Sequence, residues 1–272
     1  LDCEDLKKYF KPRNINYHFY NFKKIDLIVL IKSFLKSIIT TTNIRKNYFK
    51  EIIKKFNPKI IVGNDINLRA VQAKKIFPEK ISITYQYSLL RNEDRLKKLK
   101  INKKLKTDYF FCFSNMDLKF IKKYFKANYL VYGSLRNNLA SINKIRNKTN
   151  LLNYISELTK NDKFEEHEKK ILKILNNFCK KNNIKIHITL RSNRNDKNMD
   201  RELEINYFRK ILGQDFIYSD HDSYDIAEKS LINISRNSNL GFELVSRGVK
   251  VLFLPAKKDF LERKNPYFKK LC

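Results

Sequence analysis

The chain has 272 residues, 42% of them hydrophobic and 13% aromatic, enough for one large domain or two small ones with a buried core. That excludes a disordered chain, and no stretch approaches the roughly 18 uninterrupted apolar residues of a membrane span. The net charge of +30 raises nucleic acid as a partner. However, 44 Lys, 31 Asn and 31 Ile, with Lys three times as frequent as Arg, are the residues of A/T-rich codons, and no block of five consecutive basic residues occurs. Nucleic acid is therefore not the expected partner, and a basic surface toward anionic lipid headgroups is the alternative use of the charge.

The most apolar segment is IDLIVLIKSFLKSII (25–39), interrupted by Lys32 and Lys36. FKEIIKKF (49–56) has the spacing of a helix with a solvated lysine face. PKIIVGND (58–65) reads as a buried strand ending in a polar loop, and NLRAVQAKKIF (67–77) as a helix. Strand KISITYQY (80–87), a polar stretch RNEDRLKKLKINKKL (91–105), strand TDYFFCFS (107–114), helix MDLKFIKKYF (116–125) and strand NYLVYGS (128–134) follow.

LRNNLASINKIRNKTN (135–150) has a weak core pattern and reads as a linker. The rhythm then restarts with strand LLNYISEL (151–158), helix 164–183, strand IKIHITL (184–190) and helix RELEINYFRKIL (201–212). DFIYSD (215–220), KSLINIS (229–235) and VKVLFLP (249–255) are further strands. Strands alternating with helices imply parallel sheets covered on both faces. The expected fold is α/β, with an N-terminal domain over 1–140 and a C-terminal domain over 150–272.

The four cysteines, Cys3, Cys112, Cys179 and Cys272, form no CxxC pair. No zinc site is expected, Cys112 and Cys179 read as core residues, and a reducing cytoplasm fits. The chain begins without Met and stops abruptly after PYFKKLC, which reads as an internal fragment or an incomplete gene.

Ligands of such sheets bind outside the strand C-termini, so the residues just after each strand are the candidates. Arg191 and Arg194 follow IKIHITL and suit a phosphate or pyrophosphate, or are an ordinary basic loop. His221 follows DFIYSD and either touches a base or phosphate or is a surface histidine. Ser238 and Asn239 open a helix after KSLINIS, where backbone N–H groups favour anions. Gly241 permits close approach of backbone. Glu243 lies on the first turns, near the crevice, and a carboxylate there can accept both ribose hydroxyls; a helix with a capping Ser and a surface Glu is the simpler reading. The helix ends at Arg247-Gly248 with a glycine cap. Asp65, at the end of the first clear strand, is the candidate general base, with a strand-end or capping Asp as the simpler reading.

The string SNLGFELVSRGVKVLF (238–253) resembles the S-T-L-G-x-E element of GT-B glycosyltransferases. More narrowly it is similar to bacterial surface-carbohydrate biosynthesis transferases, and more distantly to the CDP-glycerol glycerophosphotransferase group. ITYQYSLLR (83–91), FFCFS (110–114) and YLVYGSLRNN (129–138) resemble further strings of those proteins, in the same order. Asn239 stands where that family usually has Thr, and YQYS where it prefers Gln-Asn-Gly.

The resemblance implies two Rossmann-like domains facing an interdomain cleft, the first for the acceptor and the second for a nucleotide-sugar or CDP-alcohol donor. By position, Glu243 would hold the ribose, while Ser238, Asn239, Leu240 and Gly241 would lie against the donor phosphates. Arg191 would offset phosphate charge, and Gln86 and Arg91 would stand on the acceptor side. It implies no cofactor and no metal, since helix N-termini and basic side chains stabilise the departing diphosphate. The acceptor would be a glycan or lipid-linked precursor. The cysteines and the basic charge, separately, give a cytoplasmic protein, with peripheral contact at the inner membrane face as an option. A basic nucleic-acid-binding module and a non-catalytic relative are the alternatives.

Overall fold

The computed structural model describes residues 25–66, 68–87, 104–140, 148–158, 165–191, 200–218 and 223–254. The chain divides into two compact units, Leu1–Leu139 and Ala140–Cys272.

Among its described residues, the first unit begins with two helices, α1 (Leu27–Thr40) and α2 (Ile44–Phe56). The Asp26 carboxylate caps α1 by accepting from the Val29 amide, and Asn43 caps α2 by accepting from Arg45. Then come β1 (Ile60–Asn64), α3 (Arg69–Ile76), β2 (Ile81–Tyr85), β3 (Leu105–Cys112), α4 (Asn115–Tyr124), β4 (Phe125–Val131) and the short α5 (Leu135–Leu139). The four strands are all parallel, in the order β1-β2-β3-β4. Phe110, Cys112, Ile121, Phe125 and Val71 form the main core of this unit. Helix α3 can lie close on β1 because Gly63 has no Cβ; one would stand 2.9 Å from the Ala70 nitrogen.

The second unit contains β5 (Thr149–Ile155), α6 (Glu165–Lys181), β6 (Lys185–Thr189), α7 (Arg201–Leu212), β7 (Ile217–Tyr218), α8 (Ser223–Lys229), β8 (Ser230–Ser235), α9 (Asn239–Ser246) and β9 (Val251–Phe253). Its sheet is parallel in the order β7-β6-β5-β8-β9. Leu152, Tyr154, Ile186, Ile188 and Ile234 pack with α6 and α7 on one face, and Ile155 packs with Ala227 of α8 and Leu244 of α9 on the other. Period-2 alternation along β5 sends Tyr154 and Ile155 to these opposite layers.

A buried polar ladder crosses this sheet. Asn153 donates to the Asn233 amide oxygen at 2.8 Å, and its own oxygen accepts from Thr189 at 2.8 Å and from His187 Nδ1 at 3.0 Å. Asn233 closes the ladder on the Ala227 carbonyl at 3.0 Å. Such groups are tolerable in a core because they satisfy one another.

Several expected boundaries move. The linker 135–150 contains α5, and β5 begins at Thr149. The strand expected at 128–134 is Phe125–Val131, so α4 runs straight into β4; Phe125 is pulled into the core, with its ring 4.8 Å from that of Phe110. Among the described residues of DFIYSD, Ile217 and Tyr218 pair with β6, at an exposed sheet edge. Most of 91–105 lies outside the described residues.

Candidate functional site

The strand order of the second unit reverses direction beside its first strand: β6 and β7 are added on one side of β5, β8 and β9 on the other. In open α/β sheets the ligand crevice lies outside the strand C-termini at that reversal. Here it is bounded by Ser156 and Glu157 after β5, and by Arg236, Asn237 and Ser238 after β8. The two strand ends are tied together, since the Asn237 backbone N–H donates to Glu157 Oε1.

Helix α9 starts at this point. The Ser238 hydroxyl caps it by accepting from the Leu240 amide at 3.3 Å, and Ser238 N–H donates to Ser235 Oγ at 3.1 Å. Asn239 and Leu240 are half-buried on the first turn. The close approach at Gly241 is of helix to sheet: a Cβ there would meet Ser235 Oγ at 2.8 Å and the Phe253 ring at 3.0 Å. Gly248, at φ +75°, ends the turn after α9 as the sequence implies.

Glu243 is half-buried, and its Oε2 accepts from the Tyr224 hydroxyl at 2.6 Å. Tyr224 is itself stacked under Arg247, whose guanidinium lies 5.1 Å from the ring centre. Arg247 in turn binds Glu228 through Nε at 2.6 Å and Nη2 at 2.5 Å, with the two side chains 3% and 7% exposed. Glu243 is thus held by α8 as well as by its own helix.

Arg191 is exposed directly after β6. Its guanidinium donates to the Glu157 carbonyl at 3.2 Å, which brings it over the end of β5. Its backbone N–H donates at 3.0 Å to Oε1 of fully buried Glu204 on α7. That same oxygen accepts from the Ser156 hydroxyl, so one buried carboxylate fixes both strand ends. Beneath them, Tyr154 donates to Glu168 Oε1 at 2.8 Å. Burial, and then the Glu168 charge, hold the Tyr154 phenol well above its ordinary range, while nearby Arg236 opposes the shift.

In the first unit, Asp65 connects strand ends. Its N–H donates to the Tyr85 carbonyl and its Oδ1 accepts from the Tyr87 N–H, both at 3.0 Å. Gln86 is 2% exposed; its amide donates to Asp117 at 3.0 Å and accepts from the Phe113 N–H at 2.9 Å, so the side chain joins β2, β3 and α4. Arg136 lies over the Tyr87 ring at 5.6 Å and donates to its hydroxyl at 3.2 Å.

Arg194, His221 and Arg91 lie outside the described residues. Sequence reasoning passed over Glu157, Asn237, Tyr224 and Glu204. The strand-end rule, applied to β5 and β8, points to Glu157 and Asn237; Tyr224 and Glu204 carry no local pattern.

Among the described residues, no group of three His, Cys, Asp or Glu side chains comes together to hold a metal, and no helix is long and apolar enough to cross a membrane.

No curated protein matches the chain significantly. Among solved structures, the chain is similar to a Listeria monocytogenes protein named "putative UDP-N-acetylglucosamine 2-epimerase", at 14% identity and TM-score 0.54, over 80% of this chain and 63% of that one. It is also similar to S. aureus MnaA solved with UDP, at 13% identity and TM-score 0.56, over 99% and 77% of the two chains. A third is the UDP-GlcNAc 2-epimerase of Neisseria meningitidis bound to UDP-GlcNAc, at 12% identity and TM-score 0.54, over 97% and 75%. The chain therefore spans 63% to 77% of the length of these relatives. At such identities the likeness is one of fold: α/β, with two Rossmann-like domains of the GT-B kind, as the sequence implied. A family model matches residues 90–269, about two thirds of the chain, and by that match the chain belongs to the family described as "putative O-antigen biosynthesis protein".

Proposed function

We propose that the chain transfers a sugar, or a sugar-phosphate-like unit, from a nucleotide-activated donor to a surface-polysaccharide precursor at the cytoplasmic side of the membrane. The observation that carries this reading is the reversal of strand order between β5 and β8, with the start of α9 and its Ser238 cap at the reversal. Membership of an O-antigen biosynthesis family supports the glycan setting.

In this reading the donor lies across the strand ends of the second unit. The first turn of α9, Ser238 to Gly241, faces the diphosphate with its N-terminal dipole. Arg191, with Arg194, offsets the charge that builds on the leaving nucleotide. Glu243, oriented by Tyr224, accepts the ribose hydroxyls, and His221 is the proposed contact for the base or phosphate. The first unit takes the acceptor, with Asp65 as the proposed base and with Gln86 and Arg91 on that side.

A thermal-shift screen of UDP, CDP, GDP and dTDP tests the donor half. A ligand at 100 times its Kd stabilises the folded state by about 2.7 kcal/mol, so one nucleotide should raise the melting temperature clearly. No shift with any of them sinks the reading. Conversion of a nucleotide-sugar to its epimer without transfer would replace transfer with epimerisation.

A further inference from the structure

Helix α1 is amphipathic in the wrong sense for its own fold. Against α2 it buries Val29 and Ser33, at 3% and 0% exposure. Ser37 and Thr42 accept from Asn47 at 2.9 and 2.8 Å, and Lys36 pairs with Glu51 at 2.9 Å. The apolar side faces outward. Leu27, Ile28, Ile31, Phe34, Leu35 and Ile38 are each more than half exposed, and at 100° per residue they fall in one sector of the helix. Single exposed aliphatics need no explanation, but a continuous apolar stripe beside a polar helix contact marks an interaction surface.

The charge around the stripe says what it meets. Residues 25–59 contain eight basic and two acidic residues, a net charge of +6. Both acids are consumed internally, Asp26 by Lys55 and Glu51 by Lys36. Lys32 is exposed at the edge of the apolar sector, where a long side chain can reach toward headgroups. A second copy of this chain would bring the same positive rim against itself, whereas an anionic bilayer neutralises it. The helix has 14 residues, about 21 Å long, which is too short to cross a hydrocarbon core of about 30 Å and suited to lying flat.

We propose that α1 docks the protein on an anionic membrane surface, with this stripe at the headgroup–acyl boundary and the basic residues of the α1–α2 pair against the headgroups. Interfacial helices of this kind bind through buried apolar area together with attraction to acidic lipid. The inference does not depend on the donor site, and a failure of either leaves the other standing.

The test is co-sedimentation of the full chain with vesicles of phosphatidylcholine alone, or of phosphatidylcholine with phosphatidylglycerol. Wild type should partition at least about tenfold more strongly onto the anionic vesicles, and raised salt should weaken this. An Ile31→Gln/Leu35→Gln variant should lose about tenfold or more in partitioning with an unchanged thermal melt, because both side chains are already exposed. A Phe34→Gln/Ile38→Gln variant repeats the measurement on the same stripe should the first pair fold poorly. Equal partitioning onto both vesicle types, no partitioning, or partitioning untouched by both variants would overturn the proposal. So would a solution dimer that the variants convert to monomer, since a second copy would then cover the stripe.

Discussion

At the residue scale, donor binding turns on how side chains at the strand ends are held. Glu243 depends on a neighbour that sequence reading passed over, the Tyr224 hydroxyl at 2.6 Å. Tyr224→Phe removes one hydrogen bond, worth about 0.5–1.5 kcal/mol. It should weaken nucleotide binding by a comparable amount while leaving the 2′,3′-dideoxy nucleotide unaffected. Equal weakening of both would detach Tyr224 from the ribose. Asp65→Asn should abolish turnover and leave donor binding intact, as read by product formation and calorimetry; undiminished turnover would remove Asp65 as base.

Cys112 and Cys179 are fully buried, and burial, aided by the Asp117 charge, pushes the Cys112 thiol up to about 11. Thiolate is the reactive form, so both cysteines should resist alkylation in the native protein and react on unfolding, as mapped by mass spectrometry. Rapid native labelling of either would contradict the core described here.

At the element scale, much of the organisation was legible because it rests on period and punctuation. Apolar runs such as IIVGN, KIHIT and SLINIS announced parallel strands, and Ser238 with Gly248 bracketed α9. What was not legible depends on partners distant in sequence. The outward apolar face of α1 appears only when α2 supplies a polar contact, and the extension of β4 back to Phe125 follows from the Phe110 ring. Glu204 looks like an ordinary helical carboxylate, yet it is fully buried and accepts from two strand ends. Glu204→Leu strands those donors and should lower stability by about 2–4 kcal/mol in denaturant unfolding; a change below about 0.5 kcal/mol would contradict that role.

Gly241→Ala should also destabilise. The new Cβ would stand 2.9 Å from Ser235 Cβ, and overpacking costs about 1–3 kcal/mol, more than the helix-propensity gain of up to about 1 kcal/mol recovers. A stabilised Gly241→Ala protein would show that α9 can move off β8 at little cost.

At the scale of the whole molecule, two parallel sheets and a strand-order reversal give the GT-B kind of fold, and the family match gives an O-antigen setting. The donor reading joins these to particular residues, and Glu243 carries the most of it. The most direct measurement is calorimetric binding of the preferred nucleoside diphosphate, and of its 2′,3′-dideoxy form, to wild type and Glu243→Gln. Charge-assisted bonds to ribose contribute about 1.5–3 kcal/mol each before desolvation. The variant should lose about 1–3 kcal/mol for the ordinary nucleotide, roughly tenfold to a hundredfold in Kd. The dideoxy form should bind wild type poorly and be almost indifferent to the substitution. Equal affinity of wild type and Glu243→Gln for the ordinary nucleotide would contradict the donor reading.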